Sequence, residues 1–98
     1  MTIVPSAFEL EPNYPNPFNP STQIDFALPK DGLVSLVVYD VLGREMAQLA
    51  HGPYAAGYHS ARWNAGSLAS GVYYARLMVS DNLGNLAFTK VTKLLLAK

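Results

Sequence analysis

Acid–base chemistry in this chain would have to come from two histidines, His51 and His59, and seven carboxylates. A nucleophilic triad needs a hydroxyl or thiol, a base and an orienting carboxylate. Ser60 adjoins His59, but neighbours on a strand point to opposite faces. The pair therefore reads as two ordinary side chains. Paired-carboxylate hydrolysis needs two acids facing each other across a cleft. Most of the acids (Glu9, Glu11, Asp25, Asp31, Asp40, Glu45, Asp81) stand at turns, where Asp supports the backbone by local hydrogen bonds. The loop Asp81-Asn82-Leu83-Gly84-Asn85 offers oxygen ligands for calcium, but it lacks the acidic density and closing Glu of an EF-hand and reads first as a hairpin turn. No phosphate-binding glycine loop is present. The expectation is no enzyme, no cofactor and no metal.

The aromatic residues raise a second chemistry, sugar stacking. Tyr39 and Tyr74 alternate onto outward faces of their segments, and Tyr54 lies in another, so a weak glycan-binding patch is conceivable. The competing reading makes Trp63 a core tryptophan and leaves the tyrosines covering sheet surface with their hydroxyls in water. Tyr73, near the start of a late strand, sits where Ig-like sandwiches carry a tyrosine corner.

Positioning any of these groups falls to a small framework. The chain has 98 residues, half of them hydrophobic, and a formal net charge of +0. That suits one domain, 1–98, with residues 1–10 partly linker or first strand. No basic stripe supports nucleic-acid binding, and cysteine is absent, which removes disulfides and Cys-ligated zinc. The opening MTIVPSAFELEP lacks the basic and long apolar regions of a signal peptide. An export address would then lie elsewhere, in a longer parent chain, and Met1 would be a cloning start.

Turn signals recur about every ten residues: Pro29–Gly32, Asp40–Gly43, Gly52-Pro53, Ala65-Gly66 and Asp81–Asn85. Between them lie short segments with period-two apolar patterning. Ile24, Phe26 and Leu28 alternate with Asp25 and Ala27. Val34, Leu36 and Val38 alternate with Ser35, Val37 and Tyr39. Tyr73, Ala75, Leu77 and Val79 alternate with Tyr74, Arg76 and Met78. Segments at Phe8–Leu10, Glu45–Leu49, His59–Trp63 and Leu86–Leu96 complete a set of about seven. Lys90 and Thr92 interrupt the apolar face of the last, as a bulge or a partly exposed edge would. Seven short strands without room for crossover helices predict an all-β antiparallel sandwich.

The most distinctive stretch is Asn13-Tyr14-Pro15-Asn16-Pro17-Phe18-Asn19-Pro20. Its prolines lack the N–H that a ladder needs, and they push Tyr14, Asn16 and Asn19 toward extended geometry. It reads as a stiff crossover between the first and second strands, already restricted when unfolded. Phe18 and Tyr14 would close one end of the sandwich.

That stretch, with VSLVVYDVLGREM, AGYHSARWN, LASGVYYARL and the terminal KVTKLLLAK, resembles in order and spacing the type A C-terminal sorting domain of the type IX (Por) secretion system of Bacteroidetes and related phyla. The resemblance runs from about Glu11 to Lys98. The Ig-like domain of the flagellar hook-capping protein is similar at the sandwich level. The resemblance implies an Ig-like, fibronectin-III-like sandwich without catalytic activity. It implies a module at the end of a larger cargo, a hydrolase or adhesin, that folds in the periplasm and is read by outer-membrane export machinery. A sortase-like peptidase then transfers the cargo to a lipopolysaccharide anchor at the cell surface. By motif match, Pro15, Asn16, Pro17 and Phe18 carry a first signature element and Gly71, Val72 and Tyr73 a second. Lys93, Leu94, Leu95, Leu96 and Lys98 carry the terminal one. The sequence departs from the family where Lys90 and Lys93 are split by Val91-Thr92, and where the hairpin at Asn82–Asn85 is long.

The residues themselves fit this role. A terminal apolar strand tipped with lysines makes an edge, and an edge offers main-chain groups to a receptor; that reading places recognition at Leu94–Lys98. Two alternatives stand beside it: a carbohydrate-binding module using Tyr39, Tyr74 or Tyr54, and an inert Ig-like spacer of a multidomain glycoside hydrolase.

Overall fold

The computed structural model describes residues 4–98. The reading of Met1 as a cloning start lies outside the described residues, as does the beginning of the 1–10 segment.

Among the described residues seven strands form: β1 (Glu9–Leu10), β2 (Ser21–Leu28), β3 (Gly32–Tyr39), β4 (Glu45–Tyr54), β5 (Gly57–Asn64), β6 (Gly71–Ser80) and β7 (Leu86–Leu96). They make two antiparallel sheets, ordered β1-β2-β5 and β4-β3-β6-β7. This is the all-β antiparallel sandwich that the alternating pattern predicts, in the Ig-like, fibronectin-III-like form that the resemblance implies. Ile24, Phe26 and Leu28 from one sheet meet Val34, Leu36, Val38, Ala75, Leu77 and Val79 from the other, all buried. Trp63 joins this core from β5, lying edge-on to Tyr73 and tilted against Phe18, with ring centroids 5.5 Å apart in both cases.

Two turns share one construction. In Asp40–Arg44 and in Asp81–Asn85, the Asp Oδ1 accepts two backbone N–H groups at 2.9 Å. Gly43 and Gly84 close them at positive φ, where a side chain would be strained. The Asp81 carboxylate is thereby committed to its own loop.

Three expectations need correction. The strand at Glu45–Leu49 continues to Tyr54, through Gly52-Pro53. β4 ends its sheet, so a proline can face the open side without breaking a ladder, and Gly52 bends the strand at φ 117. Val37 and Ala27, expected outward, are buried. Val37 stands on an inner strand with neighbours on both sides, Gln48 and Arg76, whereas a residue of an edge strand has one. Tyr14, expected to close an end with Phe18, instead lies half exposed on the outer face, its hydroxyl donating to Asp25 Oδ2 at 3.2 Å. Phe18 alone is the plug. The interruption at Lys90 and Thr92 is an edge effect: β7 ends its sheet, and the register shift lies at Val79/Ser80.

Candidate functional site

The crossover between β1 and β2 is tied down at both ends. Asn13 is buried; its Nδ2 donates to Thr22 Oγ1 (2.9 Å), which donates to Pro15 O (3.0 Å). Tyr14 and Gln23 exchange both main-chain hydrogen bonds, and Ala65 N donates to Pro20 O at 2.8 Å. All three X-Pro bonds are cis. Held by these hydrogen bonds, Asn16–Phe18 lies along the last residues of the chain.

There the three signature elements meet. Phe18 N donates to Leu95 O (2.9 Å), and Ala97 N donates to Phe18 O (3.0 Å). Leu95 N donates to Asn16 Oδ1 at 3.2 Å. On the other side of β7, Leu94, Leu95 and Leu96 stand opposite Tyr73, Val72 and Gly71. Lys98 N donates to Ser70 Oγ at 3.0 Å. Residues about eighty positions apart thus form one patch. Tyr73 anchors it as a tyrosine corner, its hydroxyl donating to Ala69 O at 2.6 Å.

Burial divides the signature residues. Phe18, Tyr73, Leu94 and Leu96 belong to the core. Pro15, Asn16, Pro17, Lys93, Leu95 and Lys98 are exposed, and Gly71 and Val72 are half-buried. Residue types alone did not single out Asn13, Thr22 and Ser70. Asn13 opens the proline string and Ser70 precedes Gly71, so each was adjacent to a recognised element, but their partners are set by the fold.

Of the groups considered for catalysis, Glu9, Glu11, Asp25, His59 and Ser60 line one surface pocket, but His59 and Ser60 take separate partners there. His59 Nε2 pairs with Ala55 O (2.8 Å), and its ring packs between Phe26 and Tyr54. Ser60 Oγ donates to Asp25 Oδ1 at 2.6 Å on the other face. Hydrogen bonds from Ser60 and then Gln23 hold the Asp25 carboxyl below its ordinary range. Glu11 is raised, first by its hydrogen bond with Glu9 and then by that group's charge. His51 lies on β4, opposite Ser35. Among the described residues, no group of three His, Cys, Asp or Glu side chains is placed to hold a metal ion.

Tyr39 and Tyr74 share one shallow surface pocket with Arg76 and Val91, and Tyr54 lies elsewhere. Tyr39 and Tyr74 are cross-strand neighbours, but the Arg76 guanidinium lies over the Tyr39 ring at 5.2 Å and donates to its hydroxyl at 3.2 Å. Tyr54 packs on Phe26 and His59 instead.

Fold and site together define a small Ig-like β-sandwich module whose early crossover and final strand are bonded into one surface patch. The chain matches the family described as the secretion system C-terminal sorting domain over residues 13–91. With more than half its length matched, it belongs to that family, the C-terminal sorting domains of the type IX system. The match includes the first and second signature elements and ends before Lys93. No curated protein matches the chain.

Proposed function

We propose that this chain is a non-catalytic module that directs a larger cargo protein, a hydrolase, through the type IX machinery and on to attachment at the cell surface. It folds in the periplasm in transit. The outer-membrane machinery reads the patch built from Pro15–Phe18, Gly71–Tyr73 and Lys93–Lys98, and a sortase-like peptidase acts on the cargo junction. The carrying observation is the main-chain pairing of Phe18 with the end of β7, flanked by Gly71–Tyr73. It makes one recognisable surface of three sequence elements, with Asn16, Pro17, Lys93, Leu95 and Lys98 facing outward.

The test is localisation of a fusion of signal peptide, fluorescent protein and this chain in a type IX-competent bacterium. A twin carries Lys93→Glu, Leu95→Ser and Lys98→Glu, which spare the buried residues. Surface delivery of the first and periplasmic retention of the second is the expected result. Equal delivery of both would remove the terminal element from the signal. Periplasmic retention of both, in cells that export a known cargo, would overturn the sorting role.

A further inference from the structure

The open edge of β7 has two parts. Over Leu95–Ala97 it is closed by Asn16 and Phe18, so the main-chain groups of Leu95 and Ala97 point away from β6. Alternate residues of a strand direct these groups to the same side. Pairing of β7 with β6 runs without a register shift from Leu96 back to Phe88. The N–H and C=O groups of Lys93, Val91 and Thr89 therefore also point outward.

Among the described residues no strand pairs with them, because β7 ends its sheet; β1 comes near β7 only at its far end, where Phe8 stacks on Phe88 and Glu11 lies near Lys90. The crossover does not continue along this edge because Asn13 is drawn to Thr22 and Tyr14 to Gln23. All three residues are exposed, Val91 to 51%.

We infer that Thr89–Lys93 is a strand-addition site for an extended, acidic segment of a protein of the export machinery. This rests on the sorting role proposed above. Phe18, bridged in parallel on the same edge, shows that main-chain groups of this edge can bond an extended segment, and main-chain pairing of this kind is a general mode of peptide capture. The charge of the partner follows from the lysines. Lys90 and Lys93 border the slot, and the one ion pair among the described residues is Arg44–Asp40. Glu11 is near enough to feel Lys90 without pairing with it. A lysine on the inward face of an edge strand also discourages two like edges from zipping together, so the slot favours a partner of opposite charge over a second copy. This moves the strand-accepting part of the edge from Leu94–Lys98, whose outward main-chain groups are taken by Asn16 and Phe18, to the five residues before it, and leaves the exposed side chains of the terminal patch in the signal.

The same reporter fusion tests the site. Val91→Pro and Thr89→Pro each remove one outward N–H while sparing every bond to β6. Lys90→Glu reverses the charge and leaves the main chain intact. Thermal unfolding of the purified fusions identifies variants that stay folded. Surface reporter is expected to fall about tenfold or more in each folded variant. Undiminished export of a folded proline variant would overturn strand addition and leave the sorting role standing. Should both prolines unfold the domain, undiminished export of Lys90→Glu would overturn the acidic partner. Retention of the unaltered fusion would overturn the sorting role, and strand addition with it.

Discussion

Phe18 and Leu96 lie side by side as a parallel main-chain pair, and both side chains are buried in the same core. The pair joins a crossover near the start of the chain to its last strand. A segment poor in ladder donors thus becomes a fixed part of the terminal sheet edge, and the contact is both structural and, on the proposed reading, part of what is recognised.

Phe18→Ala is expected to cost about 3–5 kcal/mol, the range for removing a buried aromatic ring. The ring packs on Trp63, so the cavity opens beside the only tryptophan. Urea unfolding followed by Trp63 fluorescence checks both the loss and a red-shifted native spectrum. A loss under 1 kcal/mol would show that the ring is not the plug.

Tyr73→Phe keeps the ring against Trp63 and deletes the hydroxyl that reaches Ala69 O. The expected loss is about 0.5–1.5 kcal/mol, the net worth of one hydrogen bond. A mutant midpoint equal to that of the parent would mean that the corner contributes nothing to stability.

Acid should weaken the fold through its aspartates. Asp25 is lowered first by Ser60, Asp40 first by the Arg44 backbone N–H and Asp81 first by that of Asn85. A lowered native value means that the unfolded chain binds more protons, so stability rises with pH there. The contribution is complete above the ordinary aspartate value of 3.8 and disappears as pH falls through the lowered native values. Glu11, raised above 4.5 chiefly by Glu9, acts in the opposite sense, contributing below 4.5 and losing that contribution as pH rises. With three lowered groups against one raised, the urea midpoint should drop on acidification below about 4. Asp81→Asn keeps an acceptor for the loop and should flatten part of that drop.

The alternating segments made most of this fold legible, because period-two burial is a local property of the chain. Leu86–Leu96 carried its own bounds, and Tyr73 declared its corner by standing at the start of a late strand. What escaped is what depends on neighbours. Pro53 could enter β4 only because that strand ends its sheet. Val37 stands between residues of two other strands. The proposed signature elements point to the family only together, by order and spacing, and the meeting of Phe18 with Leu95 is a long-range fact. The closing of the terminal edge by Asn16 could not be read from the end of the chain, and it reverses the sequence-based view that Leu94–Lys98 is the open part.

That reversal changes what a truncation means. Deleting Leu94–Lys98 removes two fully buried leucines, Leu94 and Leu96, each worth about 2–5 kcal/mol. It also frees Phe18 and Gly71–Tyr73 from their pairing. Against a total of about 5–15 kcal/mol for a domain of this size, the shortened chain should not hold its fold. Near-UV circular dichroism should show the loss of a fixed Trp63 environment, whereas Lys93→Glu/Leu95→Ser/Lys98→Glu should retain the parent spectrum. Retention of a truncated cargo in the periplasm would then report an unfolded domain rather than a missing signal, and only the surface substitutions separate the two. If the truncated chain instead kept the parent spectrum, the terminal strand would be dispensable for folding, and the truncation would be a clean test of recognition after all.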